Sequence, residues 1–465
     1  MGVLLHGFSD SIAYNIISNN NSVRLWVRPG GSDNTNNEIY NKIKNKFPII
    51  KGRDFIDGNF EKEIEYALPE RVYRLLYKKA FHPFMRCHAR RFRCPFNRHH
   101  FVFYEHAFMI FAQRCYQLIK KHRIETIAFA QIPHKGADVI LYYLSHILNL
   151  KTALCLQNPG LKKDCYILIS SIDDIGVYIN GMRKKSIPIN ITPPQEKPFY
   201  TNRYRRKYLH AGKEITQSVA QAVASIITLR PPSSRRTHLD RVCRALARMK
   251  FLKTKSDKEI SRTKIEKIMQ QNSYVYAPLH LEPEMVIDVL GGRYREQTLF
   301  ILKLREIVPS DVHIIVKENP AQTTYARDRH FITSITSLKN VHYTKEDIDT
   351  FTLIRNSQAV AAVLGTAGWE ALRFGKPVII GGHAWYRPLP GVFHIDEISW
   401  QAITEYVFDA DRLATEVEKL SYYHRQGILA NFSLYAKFLP DFDREQNAQR
   451  VGRDVAEYIN WLQEQ

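Results

Sequence analysis

The sequence predicts an α/β protein made of two wound, Rossmann-like parallel-sheet domains, with a basic helical insertion between them and closing helices at the C-terminus. Three observations predict it. Short apolar runs of strand length alternate with stretches of helical period in both halves of the chain. A Pro-interrupted, basic stretch separates the halves. The chain has 465 residues, 45% of them hydrophobic, which is enough for two or three cores and too apolar for a disordered protein.

In order along the chain, residues 2–6 read as a strand, 9–18 as a helix and 23–27 as a strand. Residues 123–129 form a third apolar strand, 137–148 an amphipathic helix and 151–156 the next strand, a parallel βαβ spacing. Residues 166–170 add one more strand, and the first domain is assigned 1–182. Residues 183–272 form the insertion, where Pro193-Pro194 and Pro231-Pro232 break helices expected at 211–229 and 239–251. The second α/β domain, 273–440, opens with a strand at 274–277. Further strands follow at 313–316, 341–343, 359–364 and 377–380, with helices between them. Residues 441–465 are the closing helix. Ligands of such folds bind at the carboxyl ends of strands, and two domains facing a cleft make that cleft the expected site.

The 67 Lys and Arg against 46 Asp and Glu are not spread evenly. Residues 183–262 hold 20 basic and 5 acidic side chains, and 71–100 hold 9 basic and no acidic ones. Such segments suit an anionic membrane surface, an acidic glycan or a nucleic acid, or serve as solvated helical faces. Interleaved Tyr73, Leu75, Leu76, Tyr77, Phe81, Phe84 and Met85 favour an interfacial element. No nucleic-acid motif is present, so nucleic acid is an unlikely partner. The N-terminus lacks a basic signal-peptide region, and the most apolar window, 101–111, is broken by Glu105 and His106. A cytoplasmic location is expected, with peripheral attachment to the inner face of the inner membrane if the acceptor is lipid-linked. Six cysteines are too few for a disulfide framework, and Cys87, His88, Cys94, His99 and His100 fit no standard zinc spacing.

Three loops of the second domain concentrate chemistry. His280, Glu282 and Glu284 follow the strand at 274–277, and suit acid/base or nucleophilic work, although carboxylates there also suit capping of the next helix. Lys317 and Asn319 follow the strand at 313–316 and can face a phosphate and a base or sugar. Gly365, Thr366, Gly368 and Glu370 form a glycine turn into a helix, where free N–H groups favour an anion and Glu370 can accept from ribose hydroxyls or complement the helix dipole. In the first domain His134 opens a helix after one strand, and Gln157 follows the next. The acidic pair Asp173-Asp174 reads as surface turn chemistry.

The ordered set YAPLHLEPE, Gly291-Gly292-x-Tyr294-x-x-Gln297, VKENP and GTAGWEALRFGKPVII resembles bacterial capsule and surface-polysaccharide biosynthesis proteins, and within them the retaining β-Kdo transferases. The resemblance covers 273–382, and IPHKGADVILYYLSHILNLKTALCLQNPG is similar to the family's first-domain segment. It implies a GT-B fold, a CMP-sugar held mainly by the second domain, and no metal or other cofactor. It places Glu284 at the family's nucleophile, often Asp, and Lys317 at a nucleotide contact. Asn319-Pro320 stands where the family has His-Pro. Gly365, Thr366 and Gly368 fall on the phosphate-contacting turn, with Glu370 beside it. Gln157 stands near a family acid whose role it cannot take, leaving His134 or Asp138.

The function expected is therefore a glycosyltransferase of capsule or lipopolysaccharide synthesis. It would move an acidic sugar, Kdo first, from a CMP donor to a glycan or lipid-linked glycan with retention. The alternatives are transfer from CMP-sialic acid, a CDP-polyol or a UDP-sugar, and a non-catalytic basic protein that binds glycan or nucleic acid.

Overall fold

The structure, a computed structural model, describes residues 2–30, 36–89, 101–178, 181–184, 186–195, 258–282, 284–320, 322, 327, 329–345, 348–439 and 441–465. They form two compact units. Residues up to 190 and residues 414–465 build the first, and 191–413 the second.

In the first unit β1 (Gly2–His6), β2 (Val23–Arg28), β3 (Ile49–Lys51), β4 (Ile124–Phe129), β5 (Lys151–Gln157) and β6 (Cys165–Ile169) lie in one sheet, in the order β6-β5-β4-β1-β2-β3. The pairs from β5 through β3 are parallel. Their apolar runs are buried on both faces, as parallel strands require. The chain leaves β1 toward β2 and leaves β4 toward β5, so right-handed crossovers send the connecting helices to opposite faces. One face is covered by the helices Asp10–Asn19 and Arg444–Glu464. In the latter, Val451, Val455, Ile459 and Leu462 recur on the buried stripe, and Asp443 caps the first turn by accepting from the Glu445 and Gln446 N–H groups.

The second unit has an all-parallel sheet of β7 (Tyr274–Pro278), β8 (His313–Lys317), β9 (Val341–Thr344), β10 (Ala359–Ala361), β11 (Val378–Ile380) and β12 (Val392–His394). The order is β12-β11-β10-β7-β8-β9. A seventh strand of the first sheet, β13 (His424–Gln426), pairs antiparallel with β6. Residues 414–440, which the sequence places in the second α/β domain, therefore pack into the first unit. The reason is a long-range one: His424 and Arg425 are buried where β13 pairs with β6, which no short-range pattern encodes.

Two wound α/β sheets, one per unit, are the composition of a GT-B-like fold. The three-residue strands β3, β12 and β13 carry too little alternation to be read from sequence. The expected strand 359–364 pairs only over Ala359–Ala361, and its remainder runs on into the turn at Gly365. The helices expected at 211–229 and 239–251, and most of the basic insertion, lie outside the described residues. Helix Arg262–Gln271 opens on Ser261, whose side chain accepts from the Lys264 N–H.

Candidate active site

In the second sheet the chain moves from β7 to β8 and β9 one way, and from β10 to β11 and β12 the other. The order reverses between β7 and β10, the place where open α/β sheets bind ligands at their carboxyl ends. The loop with His280 follows β7 and the turn with Gly365 follows β10. His280 Nε2 accepts the Leu364 N–H at 3.3 Å. A Cβ on Gly365 would stand 3.0 Å from His280 Cε1, so a side chain there would press the imidazole out of its place by a few tenths of an ångström. Burial, reinforced by the Arg327 charge, lowers the His280 pKa to about 4. The ring is thus neutral near pH 7, and because Nε2 accepts, its proton resides on Nδ1.

The loop around His280 is clamped from three sides. Gln297 accepts the His280 N–H at 2.7 Å and donates to its carbonyl at 3.2 Å. Gln322 does the same for Glu282, at 2.8 and 2.7 Å. Arg327, fully buried, donates to the His280 carbonyl at 2.6 Å, pairs with the Glu282 carboxylate and reaches Glu318 at 3.3 Å. Tyr343 donates to Glu318 at 3.0 Å, and burial with that carboxylate pushes its phenol far up. The Glu282 side chain is therefore committed to a buried ion pair. Glu284 caps the helix Met285–Leu290, its Oε2 accepting from the Val286 N–H at 3.0 Å.

Lys317, at the end of β8, is buried and donates to the Ile348 carbonyl and, at 3.5 Å, to the Thr350 hydroxyl. The Asn319 N–H bonds to Glu318 Oε1 at 2.8 Å. Helix Thr366–Arg373 begins three residues earlier than its apolar pattern suggests, at Gly365 as N-cap. Glu370 consequently falls in the second turn and is buried there. A Cβ on Gly368 would meet the Tyr386 hydroxyl at 2.2 Å, and that hydroxyl donates to the Gly365 carbonyl at 2.6 Å. Gly368 thus lets a buried tyrosine fasten the turn.

Sequence reasoning named His280, Gly365 and Gly368 but gave no role to Gln297, Gln322, Arg327 or Tyr386, which hold them. Only Gln297 carried a signal, its spacing from Gly291-Gly292. The others act across 20 to 47 residues of chain, as the Tyr386–Gly365 and Arg327–His280 bonds show.

The first sheet reverses in the same way, between β1 and β4. His6 ends β1, packed edge-on against Phe55 at 5.1 Å, and burial lowers its pKa to about 4. After β4, His134 Nδ1 bonds the Ile132 carbonyl at 2.6 Å. Asp138 accepts from the His134, Lys135 and Val139 N–H groups at 2.7–3.0 Å. Despite its burial, the nearby His134 and His6 with these N–H groups hold its carboxyl below the usual range. An ionised, fully engaged carboxylate is no proton donor at neutral pH, so Asp138 does not fill the general-acid role offered for it. Gln157 bonds the Cys165 and Gly427 carbonyls and the Leu429 N–H, a purely structural position. Asp173 and Asp174 stand in a 3-10 turn, where Asp174 is buried and accepts from Ser170.

Residues 193–404 match the profile of the capsule polysaccharide biosynthesis protein family. Over that span this chain carries the family's sequence pattern. The matched stretch includes every second-unit residue of the site, from His280 through Glu370. No curated protein matches the chain. Among solved structures it is similar to the β-Kdo 2,7 transferase of Thermosulfurimonas dismutans KpsC, at 10% identity over 76% of this chain and 89% of that one, with a TM-score of 0.32. The β-Kdo 2,4 transferase of the same KpsC matches at 13% identity over 65% and 82%, with a TM-score of 0.30. A trehalose-phosphate synthase of Burkholderia vietnamiensis matches at 10% identity along the full length of both chains, with a TM-score of 0.27.

Among the described residues no helix is long and apolar enough to cross a membrane. Cys87, Cys115, Cys155 and Cys165 are buried and form no disulfide with one another; Cys94 and Cys243 lie outside the described residues.

Proposed function

We propose that this protein is a glycosyltransferase of surface-polysaccharide synthesis, and that its second unit binds a nucleotide sugar, a CMP-linked acidic sugar of the Kdo type, for transfer with retention onto a glycan or lipid-linked glycan. The observation that carries the reading is the meeting of His280 with the Leu364–Gly365 turn at the reversal point of an all-parallel sheet, inside the stretch that matches the capsule family.

Each residue then has a task. The amide groups at the start of helix Thr366–Arg373 favour the phosphate that departs with the nucleoside. A neutral His280 with its proton on Nδ1 offers a hydrogen bond without adding charge. Glu284 is the carboxylate placed to form and release a covalent adduct, the step that retention requires. Its one oxygen on the Val286 N–H orients it. Glu282 and Lys317 shape the loops from below, Lys317 through the Ile348 carbonyl, and Asn319 borders them. Glu370 stiffens the turn from the second helical turn. His134 belongs to the first unit, where it precedes the helix that follows β4, and serves the acceptor.

The test is a panel of CMP-Kdo, CMP-sialic acid, CDP-polyols and UDP-sugars, with free nucleotide release as readout. CMP release from CMP-Kdo, lost in Glu284→Gln while CMP still binds, is the expected result. Release from UDP-sugars alone would replace the donor, and release from none would end the proposal.

A further inference from the structure

At the reversal point of the first sheet, the loop that leaves β1 carries polar groups that the fold does not consume. Its backbone is fixed on both sides: the Ala130 N–H donates to the His6 carbonyl at 2.9 Å, and the Gly7 N–H to the Val27 carbonyl at 2.9 Å. Gly7 turns the chain at a φ of 80°, a conformation that suits glycine, before helix Asp10–Asn19 begins. Ser9 is the N-cap of that helix, yet its side chain makes no capping bond.

His6 is half-buried, its ring edge-on to Phe55 and tilted on Phe129 at 5.4 Å. The two phenyl rings hold the imidazole without using its nitrogens. The ring bonds its own backbone, a contact that only Nδ1 can make, and no other described residue hydrogen-bonds it. Nε2 is therefore the nitrogen left for a ligand, and in a neutral ring with its proton on Nδ1 it accepts a hydrogen bond. At His280 the same nitrogen is already taken, by the Leu364 N–H.

The charges that act on His6 come from the loop after β4, from Asp138, Lys135 and His134. Asp138 is committed to three N–H groups of its own turn and His134 Nδ1 to the Ile132 carbonyl, whereas Lys135 is exposed. An acceptor nitrogen beside an ammonium suits an acidic sugar, whose hydroxyl donates to the one and whose carboxylate accepts from the other.

We propose that His6 is a glycan-binding residue: its Nε2 takes the hydrogen bond of a hydroxyl on the acceptor sugar at the carboxyl end of β1, while Lys135 meets an acidic group of the same glycan. The inference rests on the transferase reading above for the glycan and adds the group that holds its hydroxyl.

The experiment measures binding of two fluorescently tagged disaccharides to the full chain, one neutral and one ending in Kdo, by fluorescence polarisation with no donor present. Saturable binding by the parent is expected, weaker by about tenfold in His6→Phe and His6→Asn and by about threefold in His6→Gln. The glutamine oxygen stands where Nε2 does, and the asparagine oxygen where Nδ1 does. Lys135→Gln is expected to weaken the Kdo-ended probe more than the neutral one. His6→Phe keeps both ring contacts, so its melting temperature is expected to equal or exceed the parent's, which separates a lost hydrogen bond from a lost fold. Binding of neither probe by the parent, or binding by His6→Phe equal to the parent's, would overturn the proposal. Nucleotide release is read separately on the parent, so its failure ends the transferase reading and leaves the glycan site standing on the binding data, and the reverse holds.

Discussion

The reversal points of the two sheets start from the same materials and differ in how they are tied. Each has a histidine at or just beyond the end of its first strand, His6 as the last residue of β1 and His280 after β7, and burial keeps both neutral. In the first unit the neighbouring loop is secured locally, by Asp138 reaching back three and four residues to Lys135 and His134. In the second unit the loop is secured from afar, by Gln297, Gln322, Arg327 and the Leu364 N–H. Local ties form with the helix that carries them. Distant ones require the sheet first, and they leave the loop rigid only when all are present. A rim fixed by distant ties can hold donors and a carboxylate in place before a ligand arrives, which is what electrostatic preorganisation requires.

The sharpest way to break this contrast is Arg327→Met. It strands Glu282 and Glu318 without their cation, and removing one member of a buried pair typically destabilises by about 3–5 kcal/mol. Chemical unfolding followed by tryptophan fluorescence in a Trp26→Phe/Trp461→Phe background, which leaves tryptophans only in the second unit, is expected to show the loss there.

Gly368→Ala comes next. Its Cβ would collide with the Tyr386 hydroxyl, and overpacking of this kind destabilises by about 1–3 kcal/mol. Adding Tyr386→Phe is expected to restore part of the melting temperature by removing the nearest atom. No recovery at all would mean that the ring carbon, 2.8 Å from the same Cβ, dominates the clash.

Acid titration follows. His6, His280, His342 and His424 all have pKa values lowered to about 4 from 6.5. The unfolded chain therefore binds more protons between pH 4 and 6.5, so stability is full above pH 6.5 and falls as pH drops toward 4. Each such histidine adds about 1.4 kcal/mol per pH unit to the slope inside that window. His280→Gln is expected to flatten the slope measured by urea unfolding from pH 4.5 to 6.5. Asp138, whose pKa is lowered, is lost in a different window, below the ordinary carboxylate range, so Asp138→Asn leaves the slope between pH 5 and 6.5 unchanged.

The smallest effect is Gln297→Ala, which removes two hydrogen bonds from the His280 backbone, each contributing about 1 kcal/mol. Under the transferase reading its kcat is expected to fall with KM little changed, because positioning rather than affinity is disturbed. A rise in KM alone would show that the clamp serves binding.

All the strands but β3, β12 and β13, and the three loops that carry His280, Lys317 and Gly365, were legible without coordinates. Apolar runs of strand length between helical periods report burial directly, and burial is what places a segment in a parallel sheet. The alternation of basic and aromatic residues at 71–89 was legible too, but periodicity tells that a helix has two faces and not which face meets a neighbour: Tyr73, Tyr77, Phe81 and Phe84 turn onto Phe108. Phe108, 24 to 35 residues away, decided that. The same holds for Glu282, whose partner Arg327 lies 45 residues on, and for β13, which returns to the first sheet from the far side of the second unit. Local sequence determines which segments become strands and helices, since those choices depend on neighbours within a turn or two. Which carboxylate is paired, which glutamine clamps a loop and which aromatic is exposed depend on contacts closed over tens to hundreds of residues, and only the tertiary structure brings those partners together.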